Sequence, residues 1–242
     1  MAARVSLQPA YVLHGRPYRE SSVLLEVFSR EHGRLGLIAR GARGSRSRWK
    51  NLLQPFRPLL LSWNLRGELG TLTGADQIAS PPALSGECLF CGLYANELLM
   101  RFLQRFDPHP GLFEHYGELL GALAAGMEVQ GFLRVFEYRL LSAAGFGLQL
   151  ERDARSGEPL QADASYDYVP EAGPVRRTPR EGPEDTVDDL GAGHTLVSGA
   201  ALLALKSGTP DAQHLPELKS LMRRLIRHHL GDRPIRSQQL FR

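Results

Sequence analysis

The sequence predicts an α+β fold: about five short strands over residues 1–80 closing into a small barrel, then an α-helical domain over residues 81–242. Three observations predict it. Up to residue 80 the apolar residues come in short runs or alternate with a period of two, and no clear helix interrupts them. After Ser80-Pro81-Pro82 the period lengthens to about 3.6. Short antiparallel strands also leave edges open to aggregation unless the sheet closes on itself.

The elements follow in chain order. AYVLH is the first apolar run and SVLLEVFS the second; the turn Glu31-His32-Gly33 then leads into RLGLIAR. There Leu35, Leu37 and Ala39 alternate with Arg34, Gly36, Ile38 and Arg40, the mark of a hairpin with one buried face. RPLLLSWN and ELGTLTGADQ make a second pair across Leu65-Arg66-Gly67. GLYANELLMRFLQRF is apolar over most of its circumference and predicts a central helix. FLRVFEYRLLSAAGFG predicts another, stopped by Gly145 and Gly147. Residues 151–193 show no sustained periodicity and carry 11 acidic against 5 basic residues, so an irregular acidic loop or small subdomain is expected there. Two last helices are expected around HTLVSGAALLALKS and PELKSLMRRLIRHHL, the second opened by Pro216. In it Leu218, Leu221, Met222, Leu225 and His229 share one side.

Composition narrows the function classes. With 43% apolar and 23% charged residues the chain has an ordinary globular mix. No run reaches the roughly 18 apolar residues of a membrane span, and no apolar stretch of a secretion signal opens the chain, so a cytoplasmic protein is expected. The net charge of +3 is unevenly spread: residues 1–80 hold 12 basic against 5 acidic residues, and residues 219–242 hold 7 against 1. Such asymmetry is a candidate footprint for nucleic acid.

The densest positive stretch is ARGARGSRSRWKNLLQPFRP, which places Arg40, Arg43, Arg46, Arg48, Lys50 and Arg57 with Trp49 and Phe56 between them. A barrel with arginines that track phosphates and aromatic rings that stack on bases is how sequence-tolerant single-strand binders are built. The other reading is a solvated loop with Trp49 packed on the barrel. Arg34 on the preceding strand joins the candidate set, as does the stripe Lys219, Arg223 and Arg227 along the last helix. That stripe also reads as a solvated face.

Catalytic signals are weak. Cys88-Leu-Phe-Cys91 has the spacing of a redox pair, but no strand-to-helix context precedes it; two small buried side chains in a helix are the expected reading. Gly41-Ala-Arg-Gly44 lacks the Lys of a phosphate loop. His228 and His229 are adjacent and point about 100° apart on a helix, so no metal is expected there.

The block YVLHGRPYRESSVLLEVFSREHGRLGLIARGARGSRSRWKNLLQPFRPLLL resembles the N-terminal domain of the bacterial recombination mediator family RecO, and GLYANELL, FEYRLLSAAGFG and RPIRSQQLF resemble its helical part. The resemblance implies an OB-fold barrel followed by a helical domain, no catalytic activity and no cofactor. It implies binding of single- and double-stranded DNA, annealing of complementary strands, and work with RecR to load RecA on DNA coated by the single-strand binding protein SSB, in the cytoplasm at the nucleoid. Many family members carry a four-cysteine zinc module where this chain reads Asp153-Ala-Arg-Ser156-Gly157 and has no cysteine. The resemblance also places the SSB-tail site in the helical domain. There Phe132, Val135, Phe136, Leu140 and Ala143 can form an apolar face, with Arg134, Tyr138 and Arg139 beside it; core packing, with Arg134 paired to Glu137 or Glu128, is the alternative. Two other functions remain open at this point, an OB-fold RNA binder and, less favoured by context, a redox enzyme using Cys88 and Cys91.

Overall fold

The computed structural model describes residues 3–49, 51–177, 195–231 and 233–237. Two compact units appear: residues 1–127 with 235–242, and residues 128–234.

The first unit holds a closed barrel of β1 (Ala3–Tyr18), β2 (Ser22–Ser29), β3 (Gly33–Ala39), β4 (Leu59–Arg66) and β5 (Leu69–Gln77), in the order β1-β2-β3-β5-β4. Four of the pairings are antiparallel, and the parallel pairing of β3 with β5 closes the ring, a departure from the all-antiparallel expectation. β1 is far longer than the run AYVLH suggests. It spends residues 3–10 on β4 and residues 10–18 on β2, bending through irregularities between Val5 and Gln8 and between Val12 and His14. Leu7 sits in the first of these at a φ of 51°, its N–H donated to Ser62 Oγ. The turn residue Gly33 has a φ of 63°, and a Cβ there would lie 2.1 Å from the Asp107 carbonyl, so glycine is required twice over.

Alternation decides the interior. Leu25 and Val27, Leu35, Leu37 and Ala39, and Leu59, Leu61 and Trp63 fill the barrel. Phe28 on the opposite face of β2 is also buried, because the helix α2 (Pro110–Ala125) covers it with Phe113 and Tyr116. This helix is absent from the sequence expectation. Its signals are nonetheless present: Pro110 in the first turn, Gly126 at a left-handed φ of 63°, and apolar residues at Leu112, Phe113, Tyr116, Leu119, Leu120 and Leu123. The helix α1 (Gly86–Phe102) is central as expected. Its buried Asn96 donates to the Leu13 carbonyl and accepts from the Tyr116 hydroxyl, joining barrel, α1 and α2 through one satisfied amide. These attachments carry the first unit past the barrel strands. Glu97 on α1 also takes the backbone N–H groups of Arg236 and Ser237, which returns the C-terminal segment to this unit.

The second unit contains α3 (Val129–Ala143), a three-stranded antiparallel sheet of β6 (Ser165–Val169), β7 (Gly173–Arg176) and β8 (Thr195–Ser198) in the order β7-β6-β8, then α4 (Gly199–Ser207) and α5 (Leu215–Leu230). Two expectations change here. The start of HTLVSGAALLALKS is strand β8, and α4 begins only where Ser198 Oγ caps the Ala201 N–H. The described part of the acidic segment 151–193 is an irregular stretch followed by the paired strands β6 and β7, tied down by Asp153; residues 178–194 lie outside the described set. One Asp153 carboxylate oxygen accepts from the N–H of Arg155 and of Ser156, both at 2.7 Å, and the other from Arg176 on β7. Burial works to raise its pKa, but these backbone donors outweigh it and hold the carboxyl below its ordinary value. A carboxylate thus gathers the chain at the position where related proteins are expected to place cysteines. No thiol is present there to bind zinc. Among the described residues no helix is long and apolar enough to cross a membrane.

Candidate nucleic-acid interface

The segment between β3 and β4 is too rich in Gly, Ser and Arg to bury, and it folds as a chain of turns at the end of the barrel where β3 finishes. Two contacts anchor it. The Arg43 guanidinium donates to the carbonyls of Arg19 and Glu20 while its backbone N–H bonds Ser21, pinning the loop to the β1–β2 turn. Trp49 drops back into the barrel core, 7% exposed, and its ring N–H donates to the Arg40 carbonyl. The Arg48 guanidinium lies 4.1 Å from the centre of the Trp49 ring and donates to the Thr73 carbonyl on β5.

Around these anchors a cleft of about 380 Å³ opens, lined by Arg40, Gly41, Ser47, Arg48, Trp49, Leu72 and Thr73. Arg40, Arg43, Arg46 and Arg48 are exposed. Among the described residues the side chains of Arg40 and Arg46 have no ion pair or hydrogen bond, so both are available to an anion.

Several expectations are revised. Of the two readings of Trp49 the structure supports packing, because one edge of the ring is in the core and a face is covered by Arg48. Phe56 is buried as well, its ring against Gly92 of α1, so neither aromatic is an open platform. Arg34 is engaged in structure: it pairs with Glu26 at 3.2 Å and donates to the Leu103 carbonyl, while Glu26 also holds Arg105. Burial lowers the Arg34 pKa and the Glu26 charge opposes that fall. Arg57 is half-buried and donates to the Gln77 side chain. Lys50 lies outside the described residues. Arg19, absent from the expected set, is exposed on the turn that Arg43 grips. Its separation of 24 residues from Arg43 leaves no local signal in the sequence.

In the second unit Lys219, Arg223 and Arg227 are exposed along α5, as the helical spacing requires, with their opposite side buried through Leu218, Leu221, Met222 and Leu225. The face of α3 differs from the expectation. Phe136 is 1% exposed and Arg134 5%, and Arg134 pairs with the fully buried Glu137 at 3.0 Å. Both point inward because α3 supplies the unit's core. Tyr138 and Arg139 are half-buried, with the guanidinium 5.4 Å from the ring centre, and Phe132 is exposed. Cys91 is buried in α1, as the packing reading expects, whereas Cys88 is only half-buried; neither is in a disulfide.

A cleft bordered by exposed arginines on a small closed barrel can take a polyanion, and nothing described near it supplies a nucleophile with an activating base. Comparison with known proteins agrees with this architecture. The family model for recombination protein O, N terminal, matches residues 1–81, and that for recombination protein O, C terminal, matches residues 84–239. The "DNA repair protein RecO" of Nitrosococcus oceani is 46% identical over 237 residues, covering 98% of this chain and 93% of that protein. Those of Methylococcus capsulatus and Alkalilimnicola ehrlichii, which bear the same name, are 46% and 47% identical, covering 99% of this chain and 94% and 92% of their own lengths. Two matching models and near-complete coverage at this identity lead to one conclusion: the chain belongs to the recombination protein O family.

Proposed function

We propose that this protein is a non-enzymatic DNA repair and recombination mediator that binds single- and double-stranded DNA through the β3–β4 loop of its barrel and anneals complementary strands. The observation that carries the reading is the cleft at the barrel end, lined by Arg40, which is exposed without partners among the described residues, and by Arg48, which Trp49 and Thr73 hold in place; Arg46, likewise exposed and without partners among the described residues, lies on the same loop. Flexible guanidinium groups around a shallow cleft suit a phosphate backbone of any sequence. The relatives' names, which assign them to DNA repair, support it. The exposed stripe Lys219, Arg223 and Arg227 is a second phosphate-binding face in the same reading. Partnership with RecR, loading of RecA and recognition of the SSB tail belong to the reading too. For the tail, Tyr138, Arg139 and the exposed Phe132 are the groups of α3 within reach of a partner, whereas Arg134 and Phe136 are not.

The test is strand annealing on complementary DNA pre-coated with SSB, run beside matched RNA. Annealing of coated DNA supports a mediator. A protein that binds naked DNA and RNA alike and leaves coated DNA unannealed is a general nucleic-acid binder and overturns the proposal.

A further inference from the structure

In the second unit, the last turn of α5 brings His228 and His229 against Glu171, which lies in the turn between β6 and β7. The Glu171 carboxylate is 3.2 Å from His228 Nε2. One donor atom from each of the three residues falls within 4.8 Å of the others. The His229 ring is stacked on Phe146, 4.2 Å between centres and 24° between planes. Beside the three groups a cleft of about 330 Å³ is lined by Phe146, Gln149, Tyr168, Leu225 and by Glu171 and His229 themselves, among others.

We propose that Glu171, His228 and His229 bind one divalent transition-metal cation of the zinc class. Two imidazole nitrogens and a carboxylate are a ligand set for zinc and its neighbours, whereas magnesium and calcium require oxygen ligands. Ligands about 2.0–2.1 Å from a tetrahedral centre stand about 3.3 Å apart. Glu171 and His228 already have that spacing. The His229 donor atom, within 4.8 Å of the other two, is the third ligand. Adjacent histidines diverge on a helix, which is why the pair carries no metal signal in sequence; here Glu171 arrives from a turn 57 residues upstream and meets His228. The carbonyl end of α5 adds a negative field that favours a cation. The bound ion links the end of the helix that carries Arg223 and Arg227 to the β6–β7 turn of the same unit, with a fourth position open to water.

The experiment is calorimetric titration of the chelator-treated full chain with zinc chloride, then with magnesium chloride, alongside H228Q and E171Q. Both residues are exposed, at 43% and 75% of their side chains, so neither variant endangers the fold. The expected result is one zinc per chain, no magnesium heat, and a loss of about 100-fold or more in each variant, since even groups behind the ligands cost about 10–100-fold. Thermal melting of the wild type rises with zinc, and the rise disappears in both variants while their metal-free melting stays the same. Absence of saturable 1:1 binding, equal binding of magnesium, or zinc binding that survives both substitutions overturns the site and leaves an ordinary His228–Glu171 ion pair.

Discussion

Arginine does opposite things in the β3–β4 loop and on α3. In the loop Arg40 and Arg46 stand in solvent without partners among the described residues; on α3 Arg134 is 5% exposed and locked to Glu137. The difference lies in the neighbours. Gly41, Gly44, Ser45 and Ser47 offer the loop no apolar surface with which to bury a charge, whereas α3 places a carboxylate three residues on, on the same helical face, among Leu133, Phe136 and Leu140. An arginine beside apolar residues therefore reads as a binding groove only where no carboxylate shares its face.

The largest effect expected from this contrast is on stability. Arg134→Ala takes the guanidinium away from the buried Glu137 carboxylate and should cost up to about 3–5 kcal/mol by denaturant unfolding, while Arg134→Met with Glu137→Leu should recover most of it. Recovery would separate the loss of the pair from the loss of arginine; a mild effect of Arg134→Ala would mean that the other interactions of Glu137 hold its charge. The matching change in the loop, Arg46→Ala, should leave the melting temperature unchanged.

Trp49 sharpens the comparison, since it stands at the loop's turns and packs into the barrel core. Trp49→Ala removes a core ring and the seat of Arg48, and should cost about 3 kcal/mol or more in thermal or denaturant unfolding. An undiminished melting temperature with weakened DNA binding would restore the stacking reading.

A smaller effect tests Asp153, the carboxylate that orders the start of the acidic segment. Asp153→Asn keeps one acceptor oxygen but turns an NH2 toward either the Arg155 and Ser156 N–H groups or that of Arg176, at a cost of about 1–3 kcal/mol. Its carboxyl is held below the usual value of about 3.9, so its contribution is complete above that pH and is lost as pH falls through the lower folded-state value. The variant should lose that part of the acid-limb slope; an unchanged slope would assign it to other carboxylates.

These outcomes also mark how far the sequence was legible. Strand alternation in Leu35, Leu37 and Ala39, and the helical spacing of Leu218, Leu221, Met222 and Leu225, were readable because a single period decides which side is buried. The exposed stripe of α5 followed from the same arithmetic. Features that depend on distant partners were not readable. Trp49 folds back because Arg40 and Thr73 receive it and its arginine, Arg34 is consumed by Glu26 and Leu103, and Asp153 acts through Arg176 on another strand. The cluster at Glu171 is non-local for the same reason. Sequence located the basic loop; only the fold tells which of its arginines are free.

That distinction gives the most direct test. The affinity of the chain for single-stranded DNA is measured across a salt series for the wild type, for Arg40→Gln with Arg46→Gln, and for Arg34→Gln, with each variant's melting temperature recorded. Every arginine that no longer neutralises a phosphate should flatten log K against log[salt] by about 0.7, so the loop double variant should lose about 1.4 of slope while melting like the wild type. Arg34→Gln should keep the slope and lose stability. A loop variant with wild-type slope, or an Arg34 variant whose slope falls instead, would contradict the assignment of the interface to the free arginines of the β3–β4 loop.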